Sequence, residues 1–217
     1  MRSSVCSVAA LLALAVVFAP GAARGDVITP MFFDGFEADP ADVLNASLVN
    51  WNVISGSIDV LSGGNLCGPS GNYTHCVDLD GTSTQAGTIQ TKQTFTLDPG
   101  TYRLTFDLAG ANRPWTGSAS NTVFISLGAY FSEAFTPLQW DPFYTFTRDI
   151  TVYDTGNAKV QFSHMGGDMI GLLLDNVSLA HVVAEEPNVI PTPEPGSWEL
   201  IASTLGLLVW RFRKKRS

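Results

Sequence analysis

The acidic side chains are the first candidates for chemistry in this sequence. Asp78, Asp80, Asp107 and Asp149 all fall in strand-like segments. A glycosidase needs two carboxylates held about 5 to 10 Å apart in a cleft, whereas these acids alternate with apolar neighbours and are expected on solvated strand faces. His75, His164 and His181 stand apart from one another, outside any nucleophile elbow, HExxH or paired CxxC pattern. No Walker or Rossmann glycine pattern occurs either. The chain is therefore read as a non-enzyme. The remaining candidates are aromatic, because ring faces stack on the CH groups of sugars. Trp115 fits best, since the small polar residues from Ala111 to Ser118 leave it little to bury against. Trp140 follows, with Tyr130 and Tyr144 behind it, while Trp51 is expected in the core.

The elements that must position these residues repeat with a period of two. Tyr102, Leu104, Phe106 and Leu108 alternate with Arg103, Thr105 and Asp107, and Val123, Ile125 and Leu127 repeat the pattern. Further strands are predicted over Trp51 to Val60, Thr74 to Asp80, Gly87 to Leu97, Phe143 to Tyr153, Ala158 to His164 and Ile170 to His181. Asp98-Pro99-Gly100 reads as a hairpin turn, with proline presetting φ and glycine accepting a positive one. No long amphipathic helical pattern interrupts residues 26–183. The fold class is all-β, and many short antiparallel strands in a single domain argue a two-sheet sandwich of jelly-roll type.

Both ends of the chain carry targeting features. Arg2, an apolar run from Val5 to Ala19 and the small residues Gly21-Ala22-Ala23 read as a signal peptide over 1–25, leaving a mature start near Asp26. A linker at 184–192 leads to Pro193-Glu194-Pro195, an apolar run that forms a transmembrane helix at about 197–212, and the cations Arg211, Arg213, Lys214, Lys215 and Arg216. Those cations hold that end in the cytoplasm. The span reaches only about 25 Å, short of the roughly 30 Å hydrocarbon core, as suits a temporary inner-membrane tether. Between Asp26 and Pro195 stand 19 acids and 5 bases, a net of −14, which makes nucleic acid a poor partner. Export also makes a disulfide the expected state of Cys67 and Cys76, adding about 2 to 3 kcal/mol by restricting the unfolded chain.

The tail resembles the PEP-CTERM sorting signal of Gram-negative bacteria. That resemblance implies an exosortase as partner, after signal peptidase, with cleavage near Pro193-Glu194-Pro195 and release or attachment at the cell surface in an exopolysaccharide or biofilm setting.

A second resemblance covers residues 26–183. Gly35-Phe36-Glu37, Trp51 to Val60, Cys76 to Gly81, Gly87-Thr88-Ile89-Gln90, Gly100 to Gly110 and Leu174 to Leu179 follow the order seen in choice-of-anchor C exported domains and related galactose-binding-like sandwiches. It implies a lectin-like module that binds extracellular polysaccharide and requires no cofactor. It also implies a structural calcium between the first and last strands, held by Glu37 and Asp175, since calcium takes oxygen ligands from several chain segments. The alternative is a structural matrix or coat protein that self-associates without a specific glycan; a glycan-active hydrolase ranks below both.

Overall fold

The computed structural model describes residues 26–63, 67, 74–83, 85–111, 121–167 and 169–183. The expected signal peptide, linker, sorting motif, cytoplasmic cations and Trp115 lie outside these residues. Among the described residues no helix is long and apolar enough to cross a membrane.

The strands are β1 (Val27–Asp34), β2 (Trp51–Ser55), β3 (Asp59–Ser62), β4 (His75–Asp78), β5 (Thr88–Thr91), β6 (Phe95–Leu97), β7 (Gly100–Ala109), β8 (Thr122–Leu127), β9 (Phe131–Phe135), β10 (Tyr144–Val152), β11 (Gly156–Ala158), β12 (Val160–Met165) and β13 (Leu173–Val183). They form a six-stranded sheet in the order β10-β7-β13-β4-β3, with β1 also on β13, a five-stranded sheet in the order β2-β5-β12-β8-β9, and a β6/β11 ribbon. Every pairing is antiparallel.

The period-two pattern decides which faces meet. Tyr102, Leu104, Phe106 and Leu108 of β7 are buried against Val123, Ile125 and Leu127 of β8 in one core. Aromatic rings lock the layers together: Phe106 meets Phe162 edge-on at 5.6 Å, and Phe162 meets Trp51 at 5.7 Å. Each such contact adds about 0.5 to 1.5 kcal/mol beyond area burial, and Trp51 is a core residue as expected. Cys67 and Cys76 are disulfide-bonded and pack with Leu61, Ala109 and Leu173 in a smaller cluster on the outer side of the six-stranded sheet.

Four expectations need correction. The segment from Trp51 to Val60 is two strands in different sheets, because the chain turns at Gly56 with φ 63°. Gly87 to Leu97 also divides, where the Thr91 hydroxyl donates to the Gln93 carbonyl at 2.9 Å. Asp98-Pro99-Gly100 is no hairpin turn, since β6 pairs with β11 and β7 with β10. It is a corner between sheets, held by the Tyr102 hydroxyl, which accepts the Asp98 amide at 2.9 Å and donates to the Asp98 carbonyl at 3.0 Å. Asp78, Asp80 and Asp107 are buried rather than solvated. Central strands and returning loops cover them: Asp78 accepts the Asp80 and Gly171 amides at 2.9 and 2.8 Å, and Asp107 accepts Asn176 Nδ2 at 2.9 Å.

Candidate functional site

The outer face of the five-stranded sheet is built by the residues that alternate with its core positions. β12 sends Val160, Phe162 and His164 inward and turns Gln161, Ser163 and Met165 outward. Register then sets their neighbours. Asn52 of β2 stands opposite Gln90 of β5, Gln90 opposite Gln161, Gln161 opposite Ser126 of β8, and Ser126 opposite Ser132 of β9. A second row runs Ser55, Thr88, Ser163, Phe124 and Ala134. The first row is amide and hydroxyl throughout, and neither row holds a charge, although 19 acids lie between Asp26 and Pro195.

These polar groups are ordered by one another. Gln90 Nε2 donates to Gln161 Oε1 at 3.1 Å, the Thr88 and Ser163 hydroxyls lie 3.0 Å apart, and those of Thr122 and Thr136 lie 2.9 Å apart. Each primary amide carries two donors and an acceptor in one plane, and each hydroxyl can do either. Such a surface could form hydrogen bonds to vicinal hydroxyls without desolvating an ion. Phe124 of β8 supplies an apolar ring beside it, 43% exposed on the strand next to the β9 edge. A groove of about 510 Å³ runs over this face, lined by Gln90, Thr94, Ser126, Asn157, Lys159 and Gln161 among others. No carboxylate of the described residues lines it.

The aromatic candidates of the sequence lie elsewhere. Trp140 is 58% exposed in the connection from β9 to β10, near exposed Leu138 and Tyr144. That connection is pinned to the end of β7, where the Gly110 amide donates to the Asp141 carbonyl at 3.0 Å. Tyr130 is half-buried against the core, its hydroxyl donating to the Asp154 carbonyl at 3.3 Å. The amide row has a signal in the sequence that the aromatic candidates overshadow: Thr88 and Gln90, and Gln161 and Ser163, are alternate positions that are polar without charge.

Asp175 and Glu37 have different surroundings. Asp175 stands opposite Asp107 in register, and its carboxyl is pushed up to about 7, first by burial and then by the nearby Asp107, Glu37 and Asp34 carboxylates, against the Asn176 amide that favours its charged form. Glu37 accepts the His75 amide at 3.1 Å and the Thr74 hydroxyl. Among the described residues no three His, Cys, Asp or Glu side chains are grouped to hold a metal. A buried acid beside other carboxylates suits a cation, and Asn176 Oδ1 lies on the same side of Gly35 as Asp175 Oδ1.

No protein-family model matches the chain, and no curated protein matches it in sequence. Solved structures do resemble it. The C-terminal CBM6 of the laminarinase LamC from Zobellia galactanivorans is 11% identical with a TM-score of 0.38, covering 68% of this chain and 97% of its own. A family 35 carbohydrate binding module from Clostridium thermocellum is 15% identical with a TM-score of 0.39, covering 60% and 92%. The K1 cleaved adhesin domain of Lys-gingipain from Porphyromonas gingivalis is 20% identical with a TM-score of 0.45, covering 68% and 96%. With these three scores below 0.5, a function for this chain has to come from its own residues.

Proposed function

We propose that the domain is a carbohydrate-binding β-sandwich that lays a polysaccharide across the outer face of its five-stranded sheet. The observation that carries this reading is the charge-free row Asn52, Gln90, Gln161, Ser126 and Ser132 beside exposed Phe124. Amides and hydroxyls in register form hydrogen bonds to successive sugar hydroxyls, and the ring stacks on a sugar face. Affinity electrophoresis of the full-length protein through gels containing a panel of polysaccharides tests it. Phe124→Ala and Gln161→Ala each weaken retardation about tenfold or more, as expected for a lost stacking face or hydrogen bonds left unmade. Concentration-dependent self-assembly with no polysaccharide retarding the protein would favour a coat or matrix role instead.

In the same proposal the protein is exported, handled by signal peptidase and an exosortase, and displayed at the cell surface or in an exopolysaccharide matrix. Pro193-Glu194-Pro195, the apolar run behind it and the terminal cations support this. Mass spectrometry of the mature protein checks it, since a C-terminus still ending at Ser217 defeats the sorting reading. Calcium at Glu37 and Asp175 would neutralise the buried carboxylates and pin the first and last strands together; the charge crowding at Asp175 supports it.

A further inference from the structure

We infer that the groove on the five-stranded sheet is specific for an acidic polysaccharide, with the Lys159 ammonium receiving a uronate carboxylate; this rests on the binding face proposed above. Four cations belong to the described residues, and three are committed elsewhere. Lys92 Nζ donates to the Leu48 carbonyl at 2.8 Å. Arg103 holds Asp149 through two bonds of 2.7 and 2.8 Å. Arg148 holds Glu133 through bonds of 2.6 and 2.7 Å and lies over the Phe135 ring at 5.0 Å. Lys159 is the one cation among them whose side chain makes no hydrogen bond or ion pair with a described residue, and it is half-buried in the lining of the groove.

Its position follows from the chain. Lys159 precedes β12 by one residue and shares the outward parity of Gln161 and Ser163, with buried Ala158 and Val160 on either side. Its carbonyl accepts the Gly128 amide at 3.0 Å, which fixes the backbone beneath the side chain. The Lys159 stem lies along the groove lining while its ammonium is taken up by no carboxylate of the described residues, so a carboxylate arriving from solvent can form a charge-assisted bond there. Gln161 and Gln90 then lie beside it to take the hydroxyls of the same or the next sugar. The acidity of the domain does not forbid a polyanion. Exposed charges are screened beyond about 8 Å at physiological ionic strength, and no carboxylate of the described residues lines the groove.

The test compares full-length protein and its Lys159→Gln and Lys159→Arg variants on polygalacturonate, on the same polymer after carboxyl reduction, and on dextran sulfate. The wild type should prefer polygalacturonate to its reduced form by about tenfold, as expected for one charge-assisted hydrogen bond. Lys159→Gln should abolish that preference and flatten the salt dependence, while Lys159→Arg keeps most of it. Equal binding of the reduced and unreduced polymers, tighter binding of dextran sulfate, or a preference that survives Lys159→Gln would each overturn the inference. If polymers bind and Phe124→Ala weakens them while Lys159→Gln changes no ratio, the acidic specificity fails and the binding face stands. If no polymer binds, both fail.

Discussion

The indole N–H of Trp51 donates to the Asp34 carboxylate at 2.8 Å inside the sandwich, and the other oxygen of Asp34 accepts the Phe36 amide at 2.9 Å. One buried side chain therefore ties the end of β1 to the start of β2 and holds Phe36, whose φ is 57°. Asp34→Ala leaves two buried donors unmatched, at about 1 to 3 kcal/mol each. A loss of about 3 kcal/mol in urea unfolding is expected, with a smaller loss for Asp34→Asn, which keeps an acceptor. An unchanged urea midpoint for Asp34→Ala would show that the tie carries no stability.

Gly56 turns the chain from one sheet toward the other with φ 63°, and a side chain there would run into the Ala86 carbonyl oxygen. Gly56→Ala adds left-handed strain of about 1 to 2 kcal/mol and a backbone collision on top of it. The thermal midpoint should fall clearly. Equal midpoints for wild type and Gly56→Ala would refute the strain argument.

Asp175 gives stability a pH dependence in calcium-free protein. Its carboxyl stays protonated in the fold up to about 7 but ionises near 3.8 in the unfolded chain. Between those values the folded state holds the extra proton, so the contribution of this group is fully present below about 3.8 and is lost as the pH rises toward 7. In EDTA, Asp175→Asn should therefore gain on the wild type as the pH goes from 4.5 to 7.5, read from paired urea midpoints. Calcium at pH 7.5 should raise the wild-type midpoint and leave Asp175→Asn and Glu37→Gln where they were. A wild type indifferent to calcium removes the proposed ion.

Much of the fold is legible in the sequence because alternation is a direct imprint of the pleat. The core side of β7 is legible, since Tyr102, Leu104, Phe106 and Leu108 alternate toward it, but Asp107 and Ala109 are buried on the other side as well. Where the chain changes sheets, hydrophobicity does not change with it: Trp51 to Val60 reads as one strand although Gly56 breaks it. The buried aspartates escaped for another reason. Parity gives a direction, not a solvent exposure, and Asp107 points outward yet lies under Asn176, placed there by the β-bulge between Asp175 and Ser178. The amide row escaped because its members come from five strands that only register brings side by side. Lys159 could be counted as a base in the sequence, but its lack of a partner is visible only once Lys92, Arg103 and Arg148 have found theirs.

Val27 and Val183 are register partners, so the domain begins and ends at the same corner of the six-stranded sheet. Mechanical load distinguishes two situations there. Pulling those two ends apart opens the β1/β13 ladder one pair at a time, the weak direction for an antiparallel ribbon. A pull on Val183 opposed by a polymer held on the far sheet runs along β13 instead, shearing its eight register pairs with β7 together. If the domain is anchored behind β13 and holds a matrix through its other sheet, as proposed, it would be loaded along its strong axis.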